Sequence, residues 1–224
     1  MSLPRPPKGV VFDLDGTLID SEALVREAYF ATSRRFGVSI TDAQFLSLVG
    51  RNREDNDAQL RHYFGVDFPL DDFHLANRAH LGERTAPLKT GVYDILDHLD
   101  GAGLPYALAT SSGPVWVEKH FTAYDLGRRF KAVITREDCV NGKPHPEPYL
   151  KAAALLATAP ENVVALEDSY PGVRAAHAAG CMTIMVPDLL SPDDEMREKA
   201  LHVLDTLHDV MAVLANRASA NGGT

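Results

Sequence analysis

Hydrophobic and polar positions change texture along this chain. From Thr90 onward, short apolar runs alternate with stretches of helical period. The runs are "YALAT" at 106–110, "KAVIT" at 131–135, "NVVALED" at 162–168 and "CMTIMVP" at 181–187. Apolar runs without polar alternation read as strands covered on both faces, the habit of parallel sheets. Between them the spacing predicts helices near 92–102, 114–125, 147–157 and 171–179. A further run, "GVVF" at 9–12, joins the set from across a long gap. Five strands interleaved with helices predict an α/β fold, a doubly wound parallel layer.

Residues 20–85 follow another rule, and no strand is predicted there. "DSEALVREAYFATSRRFG" carries Leu24, Ala28, Ala31 and Arg35 at helical spacing, with Gly37 as its terminator. Thr41 and Gln44 fit a capping box, and further helices are predicted near 53–64 and 71–82. The expected organisation is a core made of residues 1–17 and 88–224, split by a four-helix cap at 18–87. The connections near 18 and 87 would act as hinges. The tail "ASANGGT" is read as disordered.

Composition narrows the choice of function. The 224 residues carry a net charge of −9, from 22 basic and 31 acidic side chains, and hold no Lys/Arg-rich run. Nucleic-acid binding rests on neutralising phosphates, so no nucleic-acid partner is expected. No apolar stretch approaches the ~20 residues of a membrane span, and no membrane partner is expected. The N-terminus lacks the apolar middle of a secretory signal, which predicts a cytoplasmic protein with Cys139 and Cys181 reduced. The acidic balance would repel an anionic ligand unless cations gather locally to receive it.

Ligands of open α/β sheets bind beyond the carboxyl ends of the strands. Asp13 and Asp15 follow the first run, and Thr110, Ser111, Ser112 and Gly113 the second. Lys143 lies in "NGKPHPEP" beyond the third, and Glu167 and Asp168 end the fourth. Any one of these could be an ordinary turn or cap. Together they supply what phosphoryl transfer needs. Asp13 can act as nucleophile, giving an aspartyl phosphate, and Asp15 can protonate the leaving oxygen from the same side of the chain. A hard cation such as Mg²⁺, held by Asp13 and Asp168 with Glu167 assisting, would offset the carboxylate repulsion. Backbone amides at a helix start after Thr110 could cradle the phosphate, and Lys143 would add a fixed positive charge. Trp116 and the tyrosines are read as packing residues. His62, His74, His80 and His98 form no clear ligand pair.

"DLDGT" at 13–17, "LATSS" at 108–112, "GKPHPEP" at 142–148 and "LEDSYPGV" at 166–173 resemble the four motifs of the haloacid-dehalogenase-like superfamily. The likeness extends to their order and approximate spacing. The insert resembles the C1 cap of the subfamily that contains β-phosphoglucomutase and phosphoglycolate phosphatase. The resemblance implies a Rossmann-like core whose cap closes over the substrate. It implies Asp13 as nucleophile, and Asp15 as general acid/base that also lends its backbone carbonyl to Mg²⁺. By the same likeness Asp168 is a metal ligand, Glu167 a ligand direct or through water, and Thr110, Ser111 and Lys143 phosphate binders. "VGRNRED" at 49–55 is similar to a cap segment whose arginine reaches the substrate's distal group, which makes Arg53 the candidate.

Two departures bear on the reaction. Val25 stands where the β-phosphoglucomutase pattern has a histidine, and Gly113-Pro114 where that mutase has polar side chains. Both favour hydrolysis of a small phosphorylated metabolite, a sugar or polyol phosphate first, over a mutase. A non-catalytic protein that binds a phosphometabolite is the alternative from another class, and it would have no use for Asp15 as an acid. The sequence is compatible with a monomer or a homodimer.

Overall fold

The computed structural model describes residues 1–49, 53–82 and 84–215. The tail at 218–224 and residues 50–52 of "VGRNRED" lie outside the described residues. In chain order the first elements are β1 (Gly9–Phe12), α1 (Glu22–Arg35), α2 (Asp42–Leu46), α3 (Arg53–Phe64) and α4 (Leu70–Leu81). Then come α5 (Val92–Gly101), β2 (Tyr106–Ala109), α6 (Pro114–Ala123), β3 (Ala132–Ile134), α7 (Glu147–Leu155) and β4 (Val163–Glu167). The chain continues through α8 (Tyr170–Ala178), β5 (Met182–Met185), α9 (Asp194–Lys199), β6 (His202–Val203) and α10 (Leu207–Ala215). Two compact units result, one of Met1–Ile19 with Pro87–Thr224 and one of Asp20–Ala86.

The larger unit is built on a parallel sheet in the order β3-β2-β1-β4-β5-β6, flanked by helices. Six strands stand where five were expected. The extra strand, β6, pairs with β5 through Ile184↔His202 and Met185↔Val203. Two residues led by a histidine make no apolar run, so the pattern gave no sign of it. Central β1 is buried along its whole length, as a strand covered on both faces must be. Phe12 meets Tyr106 and Phe130 edge-on, each at 6.1 Å between ring centres.

Register decides what the sheet presents at its carboxyl edge. Phe12 pairs with Leu108 on one side and with Leu166 on the other. The next residue, Asp13, therefore falls beside Glu167, and its N–H donates to the Leu166 carbonyl at 2.9 Å. After Asp13 the chain coils tightly. The N–H groups of Leu18 and Ile19 both reach the Leu14 carbonyl, at 2.8 and 3.0 Å. Ile19 then pairs antiparallel with Leu88, where the chain re-enters this unit.

The smaller unit is helical throughout its described residues. Thr41 caps α2 in the reciprocal arrangement with Gln44 that its sequence predicts. Gly37, at φ +71°, takes the left-handed turn that ends the first helix. The interior is aromatic: Phe73 sits 5.6 Å from Phe36 and 5.3 Å from Phe68, with Phe45 and Leu60 buried beside them. Among the described residues, no helix of either unit is long and apolar enough to cross a membrane.

Candidate active site

Two strand ends and one loop build a buried charged centre in the larger unit. Lys143 Nζ donates to Asp13 Oδ1 at 2.6 Å and to Glu167 Oε1 at 2.5 Å. Only 4% of the lysine side chain is exposed, against 9% for Asp13 and 0% for Glu167. Burial alone would strip Lys143 of its proton, but the two carboxylates hold the ammonium above its ordinary range. Tyr149, on α7, donates its hydroxyl to the same Glu167 Oε1 at 2.5 Å. Burial, with Glu167 and Asp13 nearby, pushes that phenol well above its usual titration, so it stays a neutral donor. Ser169 completes the shell by donating its hydroxyl to Glu167 Oε2 at 3.0 Å while it caps α8.

Asp13, Glu167 and Asp168 each offer a carboxylate oxygen, and these oxygens lie within 4.8 Å of one another. Burial pushes the Asp13 carboxyl up to about 8; Lys143 pulls it back, while Glu167 and Asp15 add to the rise. A set of hard oxygen donors in this spacing suits a divalent cation, which would favour the carboxylate form of Asp13. Both oxygens of Glu167 already accept from protein donors.

Two glycines admit this packing. Gly16 sits at φ +80°, and a Cβ there would meet Asp168 Oδ2 at 2.2 Å. A Cβ at Gly172 would meet the Glu167 carboxyl carbon at 1.9 Å. In both motifs the glycine is required by the carboxylate it leaves room for.

Asp15 occupies the neighbouring position, and both of its oxygens are held. Ser112 Oγ donates to Oδ2 at 2.6 Å, and Trp116 Nε1 donates to Oδ1 at 3.0 Å. Thr110 is buried, and its hydroxyl oxygen accepts the Ser112 N–H at 3.0 Å. That local turn is why the chain does not become helical immediately after Thr110. Helix α6 starts at Pro114, behind Gly113, where the spacing predicts it. Ser111 is exposed.

The structure thus brings together Asp13, Asp15, Lys143, Glu167 and Asp168, with Thr110 beside them through Ser112. Arg53 belongs to the smaller unit, where it opens α3 and faces Asp57 at 3.7 Å and Asp71 at 3.4 Å. Trp116 and Tyr149 are not mere packing residues, because each spends its one polar hydrogen on a site carboxylate. Their indole and phenol groups gave the only warning, since each carries a donor that burial obliges to find a partner.

A buried nucleophile-like aspartate beside a lysine, a metal-competent acidic group and a second aspartate two residues on define a hydrolase-type α/β site. A family profile described as haloacid dehalogenase-like hydrolase matches residues 10–186. The chain belongs to that family and is an enzyme. It is 33% identical to hexitol phosphatase B of Escherichia coli K12 over 84% of this chain and 86% of the relative. It is 31% identical to the phosphorylated carbohydrates phosphatase of Thermotoga maritima over 77% of this chain and 82% of the relative. Among solved structures it resembles CbbY of Rhodobacter sphaeroides in complex with xylulose-(1,5)bisphosphate. That match has a TM-score of 0.76 and 26% identity, covering 89% of this chain and 94% of the other.

Proposed function

We propose that the protein is a Mg²⁺-dependent phosphatase that hydrolyses a small sugar or polyol phosphate through an aspartyl phosphate on Asp13. The observation that carries this reading is the buried Lys143 bridge between Asp13 and Glu167, with Asp15 two residues on. A buried ion pair costs more in desolvation than it returns in stability, so chemistry is the better reason to keep one.

In the first step an Asp13 oxygen attacks phosphorus, and Asp15 gives a proton to the departing alkoxide. In the second, water attacks the phosphoryl group and Asp15 takes its proton, releasing phosphate and regenerating Asp13. Lys143, Thr110 and Ser111 are assigned to the phosphate, Lys143 supplying fixed positive charge in a dry setting. Asp13, Asp168 and the backbone carbonyl of Asp15 are assigned to Mg²⁺, with Glu167 acting through water or directly. The cation supplies charge neutralisation for the carboxylates and the phosphoryl oxygens.

The names of the relatives, a hexitol phosphatase and a phosphorylated carbohydrates phosphatase, support the substrate class. Substrate selection is assigned to the helical unit, with Arg53 as its candidate cation. The buried free thiols of Cys139 and Cys181, both pushed up by burial and so kept unreactive, support a reducing, cytoplasmic setting.

The test is phosphate release from a panel of sugar and polyol phosphates with Mg²⁺ or with EDTA, for wild type and Asp13→Asn. Metal-dependent release that falls at least about a thousandfold in the variant is expected, in line with losing a nucleophile. Release that survives the substitution would remove Asp13 from its role, and an isomerised product without free phosphate would make the enzyme a mutase.

A further inference from the structure

The proposed mechanism needs Asp15 to hand over a proton, yet says nothing about which of its two oxygens does so. The surroundings of Asp15 decide the matter. Trp116 Nε1 lies 3.0 Å from Oδ1, and an indole N–H can only donate. Oδ1 is thus an acceptor whenever this contact is made. Ser112 Oγ lies 2.6 Å from Oδ2, and a hydroxyl can donate or accept. A proton on Asp15 is therefore favoured at Oδ2, where Ser112 can accept from it, over Oδ1, whose stronger acceptor form the indole N–H selects.

The indole is itself held in place. Trp116 lies in the first turn of α6, where its backbone N–H reaches the Gly113 carbonyl at 3.1 Å. One turn on, His120 packs its ring 4.3 Å from the indole, and its Nδ1 meets the Trp116 carbonyl at 2.9 Å. Lys119 Nζ stands 4.1 Å over the ring, a cation–π contact that draws charge from the indole and strengthens its N–H as a donor. Here the side chain is fixed by two neighbours and spends its donor on a carboxylate.

We propose that Trp116 is a positioning residue for the phosphatase reaction: by occupying Oδ1 of Asp15 it makes Oδ2 the oxygen that exchanges protons with the substrate. The inference rests on the proposed function and deepens it. In the first step the Asp13 oxygen–phosphorus bond forms, the ester P–O bond breaks, and the Oδ2 proton passes to the leaving oxygen to give the free alcohol. In the second the water oxygen bonds to phosphorus, the Asp13–phosphorus link breaks, and one water proton returns to Oδ2. Trp116 keeps its own hydrogen throughout, and Ser112 holds Oδ2 between the two steps.

Leaving groups that differ in their need for a proton test this directly. A hexitol alkoxide must be protonated as it departs, whereas 4-nitrophenolate leaves unprotonated. Turnover of a hexitol phosphate and of 4-nitrophenyl phosphate is measured for wild type and Trp116→Phe, which keeps an aromatic ring and loses the donor. The expected result is a drop of about tenfold or more in kcat/KM on the hexitol ester, a part of what a general acid contributes, carried by kcat with KM nearly unchanged. On the aryl ester kcat/KM, which covers only the steps up to departure of the leaving group, should change by less than about twofold, because no proton is delivered to that leaving group. The ratio of the two rates is independent of how much of the variant folds, so partial misfolding does not blur the reading. Trp116→His, whose ring N–H can donate, should recover part of the ratio. Equal losses in kcat/KM on both esters would overturn the inference and leave the phosphatase standing. Wild-type enzyme inactive on both esters, with Mg²⁺ present, would overturn the two together.

Discussion

The two compact units handle charge in opposite ways. In the larger unit, Asp13, Lys143 and Glu167 are drawn out of water and bound to one another. In the helical unit the interior is aromatic, and pairs such as Arg26–Asp42 and Arg84–Glu27 stay at the surface. Burying ions is costly, and well-packed apolar groups of the same size usually serve stability better. The helical unit follows that rule and the sheet edge violates it. The difference marks where the protein gives up stability for chemistry.

The largest expected effect breaks the buried centre itself. Lys143→Met keeps the length and removes the charge, leaving Asp13 and Glu167 facing each other without compensation. A loss of about 3–5 kcal/mol is expected on urea denaturation, together with loss of phosphate release. An unchanged unfolding midpoint would mean that the pair is not the costly arrangement described.

An intermediate effect concerns His120, which is fully buried behind Trp116. Burial lowers its proton affinity and Lys119 adds to that, while the Trp116 carbonyl and Asp15 act in the other direction. The folded protein therefore keeps the ring neutral, whereas the unfolded chain takes a proton near about pH 6.5. Acidification below that point adds protons to the unfolded state first, so stability falls as pH falls. His120→Gln should show a shallower decline between pH 7 and pH 5, by at most about one proton in the slope. Parallel slopes for wild type and variant would place the acid sensitivity elsewhere.

The smallest effect is expected in the helical unit. Arg26 and Asp42 are 48% and 66% exposed, and Arg26→Ala should cost less than about 1 kcal/mol, less still at high salt. A larger loss in a thermal melt would remove the contrast between the units.

The legible part of this protein was whatever the chain writes locally. Strands β1, β2, β3, β4 and β5 are continuous apolar runs, the site aspartates and glutamate stand at the ends of β1 and β4, and the lysine lies in the loop between β3 and α7. Of the last segments, α9 and β6 were not anticipated because six-residue and two-residue elements are too short for a period to register, whereas nine-residue α10 was missed although Leu207, Val210, Val213 and Leu214 stand at helical spacing. Trp116 was misread for another reason. Its partner Asp15 is 101 positions away, so only the packing of α6 against the sheet edge joins them. Tyr149 gains its partner across 18 positions by the same route. Residue type at a strand end is local information, and the donors that complete a carboxylate's shell are not.

The pairing of Ile19 with Leu88 has a consequence for how such a molecule is assembled and remodelled. Strand β1 finds Tyr106 as its neighbour, so the centre of the sheet waits on a long excursion of the chain. Closing an excursion costs entropy that grows only with the logarithm of its length, about 0.6 kcal/mol per doubling. Asp20–Ala86 folds back into a unit of its own, and its two ends return to that one bridge. For the sheet, the whole insert is equivalent to a short hairpin. Evolution can lengthen, trim or replace everything between those two residues while the strand order remains undisturbed, which makes the junction a socket for exchangeable modules.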